Sequence, residues 1–104
     1  MSKLPNRFTA FIETYPEIGR AYNDLSQAVA DAGPLDEKTR ALVKLGLSIG
    51  SGSEGGTHSQ ARKAIEAGAT PDELRHAVLQ SLTTLGFANM MKAMTWVEDV
   101  IAKE

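Results

Sequence analysis

A glutamate and a histidine stand at a spacing that could support acid–base chemistry. Glu54 and His58 are four residues apart, so on a helix their side chains lie on the same face, one turn from each other. A carboxylate in that position can orient an imidazole as a general base, which predicts a catalytic pair. The alternative is structural: a histidine at a helix start, satisfied by a neighbouring carboxylate at a contact between subunits.

Two further polar residues flank this pair. Ser53 and Gln60 lie near each other on one flank of the same predicted helix, and we expect them to be candidates for substrate binding. Ser53 has a second explanation, because serine is strongly preferred as the residue that caps a helix N-terminus. It could act as a nucleophile only with a base within reach, so the cap is the favoured interpretation.

The stretch before this helix is unusually rich in glycine. Residues 50–56 read GSGSEGG, and their backbone N–H groups could form a nest that binds an anion at the helix N-terminus. The stretch has no lysine and no known phosphate-loop pattern, so a plain turn is the favoured alternative. The two histidines lie eighteen positions apart and there is no cysteine, which predicts no metal site and no cofactor.

The composition is typical of a small globular protein. The chain has 104 residues, a net charge of −2 and a pI of about 5.7, which suits one domain with no basic surface for nucleic acid or an acidic membrane. The absence of cysteine excludes disulfides and thiol chemistry. No stretch is apolar enough to cross a membrane, and we expect a cytoplasmic protein. At this size, burial between subunits is a natural supplement to the core.

Hydrophobic periodicity predicts an all-α fold of about six helices that position these residues. Two N-terminal helices are expected over residues 5–32, the second with a stripe that includes Ile18, Tyr22 and Leu25. A third helix follows Asp36, a fourth begins near Ser53, a fifth has a capping signal at residues 70–73, and the last starts near residue 87.

The motifs LDEKTR, EAGATPDEL and LTTLGF, taken together within residues 34–94, resemble the carboxymuconolactone decarboxylase and alkylhydroperoxidase D-like family. This resemblance implies a single helical domain over residues 1–104, with N-terminal helices and a family core, that assembles as a homo-oligomer, commonly a trimer or hexamer. It implies two kinds of chemistry. One branch reduces peroxides with a CxxC pair, a histidine and a glutamate. The other processes a small lactone carboxylate without that pair.

The residues that carry the peroxidase chemistry of the family are all substituted. The resemblance places the two cysteines at Ser53 and Gly56, the histidine at Gln60 and the glutamate at Ala41. Serine and glycine cannot form the disulfide that the cycle needs. His58 stands about 160° round the helix from Gln60 and is not a simple replacement.

Two hypotheses follow from the resemblance. The first is a non-redox protein that binds a small carboxylated molecule and acts on it by decarboxylase-like or lactone-type proton transfer through His58 and Glu54. The second is a catalytically silent, oligomeric helical module that keeps the scaffold without its chemistry. Peroxiredoxin-type activity, the third option, is chemically unsupported without cysteine.

Overall fold

The computed structural model describes residues 6–104, with side chains from Arg7 onward. These residues form helices and no strand, which confirms the predicted all-α fold. The helices are α1 (Asn6–Thr14), α2 (Pro16–Asp31), α3 (Glu37–Gly50), α4 (Glu54–Glu66), α5 (Pro71–Leu79), α6 (Leu82–Leu85) and α7 (Phe87–Ile101). The predicted start of the first helix at Pro5 lies outside the described residues.

The chain divides into two compact units, one up to Asp36 and one from Glu37 to Glu104. The single domain expected over residues 1–104 stays a prediction. The first unit is a helical hairpin in which Tyr15, non-helical before Pro16, separates α1 from α2. An added Cβ on Gly19 would lie 3.1 Å from Ile12 Cγ2, so α1 and α2 approach closely at a glycine.

The apolar stripe of α2 lies at the surface. Ile18, Tyr22, Leu25 and Val29 follow one another at helical spacing, and each is more than half exposed. A periodic apolar stripe normally marks the face that a helix buries. In this structure the stripe therefore presents a continuous apolar surface, a feature that bears on assembly.

The second unit carries the hydrophobic core. Its side chains are less than a tenth exposed and come from α3, α4, α5 and α7: Ala41, Leu45, Ile49, Ala61, Ala64, Leu74, Val78, Met90, Ala93, Val97 and Val100, with Ala69 in the turn after α4. Leu45 and Leu74 are fully enclosed, and burial of each stabilises the fold by about 1.5–3 kcal/mol. Small residues on α4 let it pack closely in this core.

Local signals determine where the helices of this unit begin. Gly52 adopts a φ of +72° in the turn between α3 and α4, a conformation that favours glycine. Before α5, the Thr70 hydroxyl accepts a hydrogen bond from the Glu73 N–H at 3.1 Å, and the Glu73 carboxylate accepts one from the Thr70 N–H at 2.9 Å. This capping box confirms the helix start that the sequence predicts.

The predicted fifth helix is divided in two. α5 ends at Leu79, where the buried Ser81 hydroxyl donates a hydrogen bond of 2.6 Å to the Val78 carbonyl. The single turn of α6 follows, and Gly86, at a φ of +93°, joins it to α7. Within the described residues, no helix is long and apolar enough to cross a membrane.

Candidate functional site

His58 is paired with an aspartate from a distant part of the chain. Its Nε2 lies 3.2 Å from Oδ2 of Asp99, which joins α4 to α7. The His58 side chain is 24% exposed and the Asp99 side chain 51%, so the pair is partly enclosed and still reachable from solvent. A carboxylate at this distance can fix the orientation of the imidazole.

The structure does not form the pair that the spacing of Glu54 and His58 predicts. Glu54 is the first residue of α4 and is exposed, and no hydrogen bond or ion pair joins it to His58. The reason is geometric: the imidazole lies on the side of α4 that faces α7, where Asp99 offers a carboxylate. Asp99 therefore takes the orienting position that the sequence analysis gives to Glu54.

A small cavity opens beside this pair. It has a volume of about 50 Å³ and is lined by His58, Arg62, Asp99 and Lys103, with Val100 and Glu104 completing the wall. That volume has room for a few water molecules or one carboxylate group and is far below the size of an ordinary metabolite pocket. The Nε atom of Arg62 is buried without a hydrogen-bond partner.

Ser53 acts as the N-cap of α4. Its Oγ accepts a hydrogen bond of 2.9 Å from the Gly56 N–H, which confirms the capping interpretation. An added Cβ on Gly56 would lie 2.8 Å from that Oγ and 3.1 Å from the Ser48 Oγ. The cap therefore occupies the space that a side chain at position 56 would need. A role for Ser53 in substrate binding stays a prediction.

Two further polar atoms on α4, besides the Arg62 Nε, are buried without a partner. Thr57 is fully buried and its Oγ1 is unpaired, and the Oε1 of Gln60 is also unpaired and buried. An unpaired buried polar group costs about 1–3 kcal/mol. The Gln60 Oε1 atom is enclosed in this structure, and a role for Gln60 in substrate binding stays a prediction. Ala41, where the resemblance places a glutamate, is a buried core residue.

The groups with clearly shifted pKa values are Glu73, Arg75 and Glu98. The Thr70 backbone N–H, followed by the Lys38 ammonium at 2.9 Å, lowers the pKa of Glu73. Arg75 forms two hydrogen bonds to Glu98, at 2.7 and 3.1 Å, which lower the pKa of Glu98 and raise that of Arg75. These ion pairs join α3 to α5 and α5 to α7, so their role is to hold helices together.

Sequence reasoning missed Asp99, Arg62 and Lys103. A usable signal exists: His58 and Arg62 are four residues apart on α4, and Asp99 and Lys103 are four apart in and just after α7. Two such pairs form one site only if the helices pack side by side, which the sequence does not say. Among the described residues, no group of three or more His, Asp or Glu side chains is arranged to hold a metal ion.

Comparison with known proteins identifies the family. The model of the carboxymuconolactone decarboxylase family matches residues 16–99. The crystal structure of apo-lpg0406, a carboxymuconolactone decarboxylase family protein from Legionella pneumophila, superimposes with a TM-score of 0.80 at 23% identity, over 92% of this chain and 86% of that one. No curated protein matches the sequence. The family match spans most of the sequence, and the chain belongs to the carboxymuconolactone decarboxylase family.

Proposed function

We propose that this chain is a non-redox member of the family that binds a small carboxylated molecule and acts on it by proton transfer through His58. The observation that carries the proposal is the contact of 3.2 Å between His58 Nε2 and Asp99 Oδ2 beside a cavity with two basic side chains. A thiol mechanism has no support, because the chain contains no cysteine.

The chemistry that suits this arrangement is decarboxylation or a related proton transfer. When a carboxylate leaves as CO₂, the electron pair of the broken bond stays on carbon and must take up a proton. An imidazolium held by a carboxylate is a suitable donor, and its neutral form can accept the proton back from solvent. His58 is the proton carrier in this scheme, and Asp99 is its positioning residue.

The size of the cavity limits how a substrate could bind. A volume of about 50 Å³ accommodates the carboxylate end of a molecule but not a whole lactone ring. The ring would therefore lie outside the cavity.

The experiment is an assay with carboxymuconolactone as the probe, with release of CO₂ as the readout. We expect the His58→Ala variant to lose about a hundredfold or more of the rate, the usual contribution of a general acid or base. Asp99→Asn should lower the rate and change its pH profile, whereas the matched variant Glu54→Gln should leave both unchanged. Equal turnover by the wild type and His58→Ala would refute the assignment.

The second candidate is a silent helical module that keeps the family scaffold without turnover. The substitution of all four positions that carry the family's redox chemistry favours it: Ala41, Ser53, Gly56 and Gln60. In this case neither the wild type nor any variant releases CO₂ from carboxymuconolactone, and the purified protein carries no small molecule. A native mass spectrum with a stoichiometric organic mass would argue against this candidate.

We also propose that the chain forms a homo-oligomer. Four large apolar side chains on one face of α2, Ile18, Tyr22, Leu25 and Val29, are each more than half exposed. A periodic apolar stripe is normally the face that a helix buries. A second copy of the chain is the proposed occupant of this stripe, because burial between copies supplements the core of a chain of this size. Cytoplasmic localisation stays a prediction from the sequence.

A further inference from the structure

The cavity beside His58 contains two cations that lack a counterion. Arg62 and Lys103 both line it, and neither side chain forms a hydrogen bond or ion pair with any described residue. Two positive groups that border one cavity of about 50 Å³ repel each other. An anion between them would replace the repulsion with two attractions.

Arg62 gives the stronger indication. Its side chain is partly buried, and its Nε–H is enclosed with no acceptor within reach. Guanidinium groups bind carboxylate and phosphate oxygens through a fixed fork of N–H donors, and Nε supplies one side of that fork. The Nε–H of Arg62 is therefore a hydrogen-bond donor that no acceptor among the described residues satisfies, in a residue that lines the cavity.

The carboxylates in the wall do not fill this role. Asp99 is engaged by His58 at 3.2 Å. Glu104 lies at the exposed edge and forms no ion pair with Arg62 or Lys103 in the structure. Because Glu104 is close and negative, it should compete with a bound anion.

We infer that Arg62 and Lys103 form a binding site for one oxoanion group, held between α4 and α7 next to the imidazole of His58. The inference rests on the proposed function in one respect: the anion that the site serves is the carboxylate of the molecule on which His58 acts. Carboxylate and phosphate groups share the chemistry that the site recognises, and the experiment separates them.

The test is a titration of the full chain with acetate and, separately, inorganic phosphate at constant ionic strength, followed by NMR of the Arg62 Nε–H and the His58 ring. We expect saturable shifts with at least one of the two anions. Saturation with acetate assigns a carboxylate site, and saturation with phosphate alone assigns a phosphate site. Arg62→Gln and Lys103→Gln should each weaken binding about tenfold or more, because each removes a charge-assisted hydrogen bond.

Two further variants make the test specific. Lys63→Gln removes a neighbouring exposed cation of α4 and should leave the affinity unchanged, whereas Glu104→Gln removes the competing carboxylate and should tighten binding. Linear shifts without saturation, or an equal loss in Lys63→Gln and Lys103→Gln, would overturn the inference. Anion binding without release of CO₂ from carboxymuconolactone would retain the site and refute only the proposed proton transfer.

Discussion

His58 and Asp99 are forty-one residues apart in the sequence and 3.2 Å apart at their nearest side-chain atoms. The contact joins α4 to α7 and uses Nε2 of the ring. The other candidate partner, Glu54, is one helical turn from His58 and does not contact it. The carboxylate that pairs with His58 is therefore Asp99, which the sequence alone does not indicate.

A double-mutant cycle measures this relationship directly. Because the Asp99 side chain is half exposed, the coupling free energy between His58→Ala and Asp99→Asn should be about 1 kcal/mol or less. The parallel cycle with Glu54→Gln should give a coupling of about zero. Urea denaturation of the single and double variants provides the values, and a larger coupling with Glu54 than with Asp99 would contradict the observed pairing.

The N-cap of α4 predicts a selective response to changes at Ser53. Replacement by alanine removes the acceptor for the Gly56 N–H and should lower the free energy of unfolding by about 1 kcal/mol. Ser53→Asp retains an acceptor at the same place and should cost only a few tenths of that amount. Thermal or urea unfolding checks the difference, which would be absent if the serine had no capping role.

The ion pairs around α5 predict a loss of stability in acid. The pKa values of Glu73 and Glu98 lie below their ordinary 4.5 in the folded chain. The unfolded chain therefore binds protons first, and the free energy of unfolding should fall as the pH drops from about the ordinary pKa through the lower folded values. Urea midpoints measured between neutral and strongly acid pH report this change.

Two glutamine variants test which carboxylates are responsible. Glu98→Gln and Glu73→Gln should each reduce the fall in the free energy of unfolding at acid pH, because the carboxylate that takes up the proton is absent. Glu17→Gln is the matched control, since the carboxylate of Glu17 lies exposed on α2 without an ion pair. An equal effect of Glu17→Gln would attribute the acid response to net charge instead.

The exposed stripe on α2 predicts that assembly depends on single apolar side chains. Leu25 is 61% exposed, and its replacement by lysine would put a charge into the proposed contact, which is costly once desolvated. Native mass spectrometry should then show smaller assemblies than for the wild type. Gln27→Lys, on the polar side of α2, should leave the distribution unchanged, and a monomeric wild type would refute the proposed oligomer.

The loop before α4 predicts that a disulfide can be built at positions 53 and 56. An added Cβ on Gly56 would lie 3.2 Å from the Ser53 Cβ, slightly below the usual range of about 3.5–4.5 Å in disulfides. The double variant Ser53→Cys, Gly56→Cys should therefore oxidise within one chain after a small backbone shift. Mass spectrometry of intact chains would detect the loss of two hydrogens, which neither single variant can show without a second chain.

That double variant should not gain peroxidase activity. The position that the family resemblance assigns to the histidine holds Gln60, and the position of the glutamate holds Ala41. A thiolate formed at position 53 would therefore lack the expected general base. Peroxide turnover by the double variant at a rate above that of the wild type would show that the histidine is dispensable.

Local structure was predictable because its causes are local. The capping box of Thr70 and Glu73 and the cap of Ser53 depend on residues no more than three positions apart. The sequence does not predict the break between α5 and α6. The helical spacing of apolar residues continues through Ser81 and Leu82, whereas the helical backbone is interrupted there. Hydrophobic periodicity indicates which face of a helix is apolar, but it does not detect a short interruption of the helix.

The candidate site was less predictable because it depends on contacts between helices. Glu54 and His58 have the four-residue spacing that brings two side chains together on a helix. Nothing in the sequence favours Asp99 over Glu54 as the partner of His58. The exposure of Tyr22 and Leu25 has a similar origin, since an amphipathic pattern is the same whether the apolar face meets the core or another molecule.

The crowding around Gly56 also limits how this chain could evolve. A cysteine acquired first at position 56 would collide with the Ser53 and Ser48 hydroxyls, and one acquired first at position 53 would weaken the start of α4 and find no second thiol. Each first step is disfavoured, and only the pair together brings a redox group. The packing of two hydroxyls against one glycine therefore makes a single cysteine at either position unfavourable for the start of α4.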